Sequence, residues 1–218
     1  MNTEYILKVL PFYCDAALLT LRLGFAGIIL SVITGLLCAL ARFWKIPVLK
    51  NIVRVYTELS RNTPLLIQLF FLYFALPKLG VKLSSEQCGV IGLAFLGGSY
   101  MAETFRSALE SVSRPQIESG LCIGLTKAQV ARYVIIPQAL GFSVPGLCAN
   151  IMFLIKETSM FSAVALADLM YIAKDLIGMD YKTDEALTLL VVFYFIILLP
   201  VSVIANIAER RLRRAAVS

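Results

Sequence analysis

The amino-acid sequence predicts an all-α integral membrane protein with five transmembrane helices, and three observations lead to that prediction. Of the 218 residues, 59% are hydrophobic and only 16% are charged, whereas a soluble domain usually has about 45–50% apolar and about 25% charged residues. The mean hydropathy is +0.83. Five apolar segments are separated by polar segments that differ in the sign of their charge. A chain of this size is expected to form a single transmembrane domain over residues 1–218.

The five apolar segments follow one another along the chain. A helix needs about 20 mostly apolar residues to cross a bilayer, and four of the segments reach or approach that length. The second has an apolar core of only 13 residues, so we expect it to include the semipolar turns before it. The segments are Ala16–Ala41, Pro64–Leu76, about Cys88–Ala108, a stretch within Ala139–Ala167, and Ala186–Ile207.

Three features interrupt these segments. Arg22 is the only charged residue in the first segment, and we expect it to reach outward and serve as a structural contact, not as a ligand. Pro145-Gly146 predicts a break in the fourth segment, because proline removes a backbone donor and clashes with the preceding turn. Pro200 predicts a kink in the fifth segment for the same reason.

The charges between the apolar segments predict the orientation of the chain. Cytoplasmic loops of membrane proteins carry an excess of lysine and arginine, so we expect the C-terminus in the cytoplasm and the N-terminus outside. The net charge of +6 is scattered along membrane boundaries and does not indicate nucleic-acid binding. The basic residues are Arg42, Lys45, Lys50, Arg54 and Arg61 in the first loop, Arg114, Lys127 and Arg132 in the third, and Arg210, Arg211, Arg213 and Arg214 in the tail.

The residue types argue against catalysis and against a metal site. Histidine is absent, which removes the commonest general base and metal ligand. The five cysteines show no CxxC spacing, and we interpret them as small apolar residues. No Gly-x-x-x-x-Gly-Lys-[Ser/Thr] phosphate-binding loop occurs, so ATP chemistry is not expected on this chain.

The segment after the third span predicts two short helices, Arg114–Ile123 and Lys127–Val134. Ser113 and Thr126 each precede a glutamine by three residues, the spacing of a helix-capping box. Gly120 and Gly124 are four residues apart and are expected to share one helical face that another backbone can approach. The spacing alone fits a surface that docks into another protein and a plain helix-turn-helix loop equally well.

The same segment resembles the "EAA" loop of ABC importer permeases. Glu118-Ser119-Gly120 is followed after three residues by Gly124, and after nine more by Val134-Ile135-Ile136-Pro137. The family pattern is Glu-Ala-Ala, three residues, Gly, nine residues, Ile-x-Leu-Pro. The resemblance places a coupling loop at about residues 111–137, between the third and fourth transmembrane helices.

Three further segments are similar to the polar amino acid (histidine/glutamine-type) branch of that family. They occur in the family's order, and the resemblance covers roughly residues 16–210. The sequence departs from many relatives at Leu96, where they carry asparagine, and at Gly97-Gly98 beside it. The segments are Glu58-Leu59-Ser60-Arg61-Asn62-Thr63-Pro64-Leu65-Leu66 with Gln68-Leu69-Phe70-Phe71, then Ser99-Tyr100-Met101-Ala102-Glu103-Thr104-Phe105-Arg106, then Lys156-Glu157-Thr158-Ser159.

The resemblance implies a permease subunit of an ATP-driven importer for polar amino acids in the bacterial inner membrane. Such a subunit forms the translocation path, pairs with an identical or homologous permease, and receives substrate from an extracytoplasmic binding protein. Two separate ATPase subunits carry ATP and Mg²⁺, so the chain itself is not an enzyme and needs no cofactor. The residues expected to contact the ATPase are Glu118, Ser119, Gly120, Gly124 and Leu125.

Lys156-Glu157-Thr158-Ser159 is the candidate substrate-binding segment. If a helix restarts after Pro145-Gly146, Lys156 lies about 15 Å further on, near the middle of the bilayer. Charges at that depth are costly and are usually functional or paired. An ammonium, a carboxylate and two hydroxyls would complement a zwitterionic amino acid. A structural ion pair between Lys156 and Glu157 is the alternative.

Other polar residues are candidates for a gate or for a structural role: Arg61, Asn62, Thr63, Glu103 and Arg106. Glu103, Arg106 and Glu110 recur at i, i+3 and i+7, which favours a charge ladder within one helix. An ion-coupled secondary amino acid carrier is the main alternative function, but no inverted repeat of the kind such carriers use is visible in the sequence. A third possible function is that of an assembly scaffold that transports nothing.

Overall fold

The computed structural model describes residues 2–44 and 46–217, with side chains described as far as Glu209. Lys45 and the side chains of Arg210–Arg214, used above to predict orientation, lie outside the described residues. Every secondary-structure element of the described residues is a helix. The helices are α1 (Thr3–Phe43), α2 (Pro47–Arg61), α3 (Leu65–Phe70), α4 (Ser85–Glu110), α5 (Arg114–Cys122), α6 (Lys127–Val130), α7 (Ile136–Glu157), α8 (Leu169–Asp180) and α9 (Thr183–Val217).

Four helical stretches are long and apolar enough to cross a membrane: Thr3–Phe43, Ser85–Glu110, Lys127–Val164 and Thr183–Glu209. A fifth crossing exists if Pro47–Arg61 and Leu65–Leu79 count as one span, bent by 104°. This confirms an all-α membrane protein with up to five spans, and it explains why the second apolar core looked too short.

The bend between α2 and α3 is built by polar side chains around Pro64. Pro64 has no backbone donor and disfavours helix at the residue before it. Asn62 and Thr63 side chains donate to the carbonyls of Glu58 and Leu59 at 2.7 and 2.8 Å. The Gln68 amide donates to the carbonyls of Ser60 and Thr63 at 3.1 and 2.9 Å. These bonds satisfy the carbonyls of Leu59, Ser60 and Thr63 around the bend, as is required inside a membrane.

Helix α1 is longer than the apolar segment that predicted it, because it begins at Thr3 and not near Ala16. Asn2 caps its first turn by accepting bonds from the N–H groups of Glu4 and Tyr5 at 3.1 and 3.3 Å. The helix has 41 residues, or about 60 Å at 1.5 Å per residue, roughly twice the hydrocarbon thickness. Its first part is held against α9, where the Tyr13 hydroxyl donates to the Ala186 carbonyl at 2.7 Å.

Helices α1 and α4 form the most extensive helix pair of the described chain, and small residues let them approach closely. A Cβ added at Gly35 would lie 2.8 Å from the Ala102 backbone nitrogen, and one at Gly27 would lie 2.7 Å from the Leu93 side chain. Between them, the Ser31 hydroxyl bonds to the Leu93 carbonyl at 3.2 Å. Membrane helices associate through such small residues, since lipid provides no hydrophobic drive between them.

The predicted break at Pro145-Gly146 is wrong, because α7 continues through both residues and ends at Glu157. Gly146 is the site of a close approach to α4, where an added Cβ would lie 2.7 Å from the Thr104 methyl carbon. The neighbouring turn gains a bond from the Ser143 hydroxyl to the Leu140 carbonyl at 2.8 Å. Packing and side-chain bonds of this kind let membrane helices tolerate proline. A 3-10 segment, Thr158–Val164, follows instead.

The two helices of the loop after α4 are present as α5 and α6, and α6 continues through a π-helical turn, Ala131–Ile135, into α7. The capping box at Thr126 and Gln129 is confirmed. Ser113 occupies the cap position of α5, but its side chain makes no capping bond among the described residues. Gly124 does not share a helical face with Gly120, because it lies past the end of α5 with φ +88°.

Asp168 caps the start of α8, outside the membrane-spanning helices, and its side chain is fully buried. It accepts bonds from the N–H groups of Tyr171 and Met170 at 3.0 and 3.4 Å. Burial raises the pKa of Asp168 to about 7, although these bonds and the charge of Lys174 lower it. The buried cap is therefore partly protonated near neutral pH.

Asp168→Asn should remove a pH dependence of stability. The pKa of the carboxyl group is about 7 in the folded chain against an ordinary 3.8, so the folded state holds a proton that the unfolded chain releases. The free energy of unfolding of the wild type therefore falls as the pH rises from about 4 to about 7. Asparagine can cap the same helix without titrating. The melting temperature of the variant should therefore exceed that of the wild type by about 5–10 °C at pH 8, and the difference should be smaller at pH 5. Thermal unfolding in detergent at both pH values checks this; equal differences would contradict it.

Candidate functional site

The loop between α4 and α7 exposes only part of the predicted coupling set. Glu118, Ser119 and Gly124 are exposed, Leu125 is half-buried and Gly120 is buried. A Cβ added at Gly120 would lie 3.1 Å from the Val130 side chain, so this glycine packs α5 onto α6. Gly120 therefore lies beneath the exposed residues of the loop and contributes to the packing that supports them.

Gly124 ends α5 in a Schellman motif. Its N–H bonds to the Leu121 carbonyl at 3.0 Å, and the Leu125 N–H bonds to the Gly120 carbonyl at 3.1 Å. The left-handed conformation that this motif requires is adopted readily only by glycine. Gly124 thereby sets the turn between the two helices.

Ile123, which sequence reasoning missed, is the most exposed apolar side chain of this turn, at 79%. Leu121, at 42% exposed, lies two residues before it. The turn thus exposes two apolar side chains close together in the sequence. The sequence signal that could have identified Ile123 is its position directly before Gly124. A helix that ends at a left-handed glycine presents its last side chains at the turn.

The base of the loop is joined to the membrane helices by a small hydrophobic cluster. Val130 and Ile135 of the loop pack with residues from the end of α4 and the start of α7. Packed interiors resist deformation, so this cluster ties the position of the loop to α4 and α7. The buried members of the cluster are Ala108, Val112, Val130, Ile135 and Ala139.

The candidate substrate segment lies where α7 ends. Lys156 is exposed, Glu157 and Ser159 are half-buried, and Thr158 is buried. The Thr158 hydroxyl donates to the Ile155 carbonyl at 2.6 Å, and its methyl carbon lies 3.3 Å from the position of a Cβ at Gly24. Thr158 is thus part of the core in this conformation, which leaves Ser159 as the accessible hydroxyl.

Lys156 and Glu157 form no ion pair with each other or with another residue in the described part of the chain. Successive residues of a helix point about 100° apart, so neighbours in sequence do not face each other. The alternative of a structural Lys156–Glu157 pair is therefore not what the structure contains. The Glu157 carboxylate is left half-buried at the end of a membrane helix.

The charge ladder predicted on α4 is confirmed and extends to α1. Arg106 pairs with both Glu103 and Glu110, and Arg42 at the end of α1 reaches Glu103 at 3.5 Å. Arg22, expected to be a structural contact, pairs with Glu86 at 2.6 Å on the opposite end of α4. The sequence alone predicted neither the Arg42–Glu103 pair nor the Arg22–Glu86 pair, because each joins residues on two different helices.

Two adjoining cavities of about 450 and 300 Å³ share Arg61, Tyr100 and Glu103, and together they are called the Arg61 cavity. It gathers Arg61, Asn62 and Glu103, three of the five residues proposed as gate or structural residues. Thr63 lines a separate apolar cavity beside α3. The remaining lining residues are Arg42, Arg54, Thr57, Glu58, Thr104, Ser107, Ala108, Ser111, Phe142, Gly146 and Asn150.

Comparison with known proteins shows similarity over nearly the whole chain. A family model described as "Binding-protein-dependent transport system inner membrane component" matches residues 27–214. The chain is 36% identical over 174 residues to the probable glutamine ABC transporter permease protein GlnP of Bacillus subtilis (strain 168), covering 80% of each chain. It is 31% identical over 210 residues to the glutamine transport system permease protein GlnP of Escherichia coli (strain K12), covering 95% of this chain and 96% of that one.

A solved structure of an amino acid ABC transporter with histidines has the same fold. Its TM-score is 0.91 at 31% sequence identity, and the match covers 97% of this chain and 99% of that chain. Similarity of this extent favours a transporter subunit over an ion-coupled carrier. The chain therefore belongs to the family of inner-membrane components of binding-protein-dependent transport systems, as a multi-pass membrane permease subunit and not an enzyme.

Proposed function

We propose that this chain forms the translocation path of an ATP-driven importer for polar amino acids. The observation that carries the proposal is the similarity over nearly the full length to permeases named for glutamine and amino acid transport. The sequence segments that resemble the polar amino acid branch agree with it. Glutamine is the first substrate to test.

The proposed assembly contains two such permeases, identical or homologous, with two ATPase subunits and an extracytoplasmic binding protein. ATP and Mg²⁺ bind to the ATPases. The exposed turn around Ile123 and Gly124 supplies an apolar surface for an ATPase groove. The hydrophobic cluster at the base of the loop then transmits ATPase closure to α4 and α7.

Reconstituted transport tests the function directly. Permease and ATPase are co-expressed, placed in proteoliposomes with the binding protein, and assayed for uptake of labelled L-glutamine, L-histidine and L-arginine. ATP-dependent uptake of at least one of them, unaffected by a protonophore, is expected. Uptake driven by an ion gradient without ATP, or purification without an ATPase, would favour a secondary carrier instead.

Glu157 is proposed to bind the amino group of the substrate, because its unpaired carboxylate is half-buried at the end of α7. Charge interactions are stronger at a half-buried position than at a wet surface. Glu157→Gln should raise the half-saturating substrate concentration about tenfold, equivalent to about 1.4 kcal/mol, with little change in melting temperature. Glu4→Gln, an exposed carboxylate on α1, is the control.

The alternative role of Glu157 predicts a different result. This structure contains no Lys156–Glu157 pair; if the two residues paired in the assembled complex, Glu157→Gln should lose folded complex, and adding Lys156→Met should restore it, since no charge then remains unpaired. Restored assembly with unchanged substrate preference would contradict the binding role.

The loop between α4 and α7 is proposed to face the cytoplasm, with the N-terminus outside. The charge bias of the loops supports this orientation. Cys122 is exposed in the loop, and Met179, at 72% exposed, lies near the end of α8. In intact cells expressing the permease alone, a membrane-impermeant maleimide should label Met179→Cys but not a variant that keeps only Cys122. Labelling of Cys122 before permeabilisation would reverse the orientation.

A further inference from the structure

Among the described residues that line the Arg61 cavity, Arg61 is a cation without an ion-pair partner. Arg54 pairs with Glu58 at 3.0 Å, and both Arg42 and Arg106 pair with Glu103. Arg61 forms no ion pair or hydrogen bond within the described part of the chain. Its guanidinium instead lies over the Tyr100 ring, 5.3 Å from the ring centre. The cavity therefore presents a positive charge that a bound anion would neutralise.

The position of Arg61 over an aromatic ring favours a particular anion. A guanidinium over a ring still has N–H groups that can bond elsewhere, and those of Arg61 form no hydrogen bond within the described part of the chain. Such N–H groups match a carboxylate in a bidentate arrangement, which lysine cannot reproduce. The cavity thus has the chemistry for one carboxylate group.

The other lining residues provide acceptors and a path. Asn150 donates its amide to the Thr104 hydroxyl at 2.9 Å, which leaves its carbonyl oxygen to accept a bond from an ammonium group. Along α4 the lining residues run from Tyr100 to Ser111, a distance of about 16 Å at 1.5 Å per residue. The cavity therefore extends from within the membrane helix to the end that joins the loop before α5.

The volume also suits a small ligand. The two parts measure about 450 and 300 Å³, within the range of about 300–1,000 Å³ typical of small-molecule sites. The candidate segment that begins at Lys156 lies six residues beyond Asn150 on α7, or about 9 Å further from the loop. The Arg61 cavity is thus a second position along the same helix.

We propose that the Arg61 cavity binds the carboxylate of the transported amino acid at a second site, between the Lys156–Ser159 segment and the coupling loop. The proposal rests on the proposed function. Arg61 holds the carboxylate, and the carbonyl oxygen of Asn150 accepts a bond from the α-ammonium group. Substrate would occupy this site after leaving the Glu157 side and before release at the loop end.

Direct binding without the binding protein tests the site. The permease–ATPase complex is placed in phosphatidylcholine nanodiscs and titrated calorimetrically, up to 10 mM ligand, with L-glutamine, L-histidine, L-arginine and the carboxamide of each. Arg61→Gln removes the charge, and Arg61→Lys keeps the charge without the planar fork. Lys82→Gln, which removes an exposed lysine between α3 and α4, is the matched control.

At least one free amino acid should bind the wild type about tenfold more tightly than its carboxamide, about 1.4 kcal/mol. Arg61→Gln should abolish that preference by weakening the free acid alone, Arg61→Lys should restore part of it, and Lys82→Gln should match the wild type. Equal weakening of acid and amide, or no binding by the wild type up to 10 mM, would overturn the proposal.

Three further outcomes separate this proposal from a lipid site and from a failure of the proposed function. Arg61→Gln could instead lower the amount of phosphatidylglycerol that co-purifies with the complex, without affecting amino acid binding. The ligand would then be a lipid headgroup and the proposal would be wrong. If ATP-driven uptake is normal but Arg61→Gln binds like the wild type, only the second site fails. If no amino acid is taken up, the proposed function itself fails.

Discussion

Gly35→Ala is expected to destabilise the folded chain strongly. The added Cβ would contact the Met101 side chain and lie 2.8 Å from the Ala102 backbone nitrogen. Backbone cannot move aside as a flexible side-chain end can, so α1 and α4 must separate along the most extensive helix pair of the described chain. Overpacking of this kind costs about 3 kcal/mol, or about 6–12 °C in melting temperature for a chain of this size.

Gly141→Ala is the matched control for Gly35→Ala. Gly141 also lies in a membrane helix, but a Cβ added there meets nothing within 4 Å in the described residues. Alanine favours helix over glycine by up to about 1 kcal/mol, so this variant should melt at or slightly above the wild-type temperature. Thermal unfolding of both variants in detergent decides the matter. Equal melting temperatures for the two would show that α1 and α4 are not held by close approach at Gly35.

Two local sequence signals predicted local structure correctly, whereas the capping bond expected from Ser113 is not formed. Thr126 and Gln129 form the capping box that their spacing indicates, and the ladder at Glu103, Arg106 and Glu110 forms within one helix. Both depend on residues three or four apart, whose relative positions a helix fixes. The start of α1 was missed although Asn2 is a good cap, because hydropathy marks the apolar part of a helix and not its polar ends.

Features that depend on distant residues could not be predicted. Pro145 does not end α7, since Gly146 packs closely against Thr104 on α4. Arg42 meets Glu103, 61 residues further along the chain. Such contacts follow from the packing of α1, α4 and α7, and a single sequence does not specify that packing.

The Arg61 cavity shows the same limit at a candidate site. Arg61 and Glu103 were singled out by charge, but Tyr100 and Asn150 were not, because an aromatic or amide residue in a membrane segment has many ordinary roles. Only the fold shows that Tyr100 lies beneath the Arg61 guanidinium. The sequence indicated charged residues near the membrane segments, and the structure shows which of them line the same cavity.

Ile123→Glu is expected to abolish coupling to the ATPase while leaving the permease folded. Ile123 is 79% exposed, so replacing it removes no contact from the core. In the proposed complex the new carboxylate would be buried in an apolar groove without a partner, which costs several kcal/mol. ATP-driven uptake should fall more than about twentyfold, or about 1.8 kcal/mol, and less ATPase should co-purify.

The control for Ile123→Glu adds the same charge within α5, away from the turn that follows this helix. Gln116 is exposed in the first turn of α5, where a carboxylate is compatible with the helix dipole. Gln116→Glu should therefore keep uptake within about twofold of the wild type, a change under about 0.5 kcal/mol. The melting temperatures of both permease variants should stay close to the wild-type value. Normal uptake by Ile123→Glu would place the ATPase contact elsewhere on the loop, since a buried unpaired carboxylate at the contact could not leave transport unchanged.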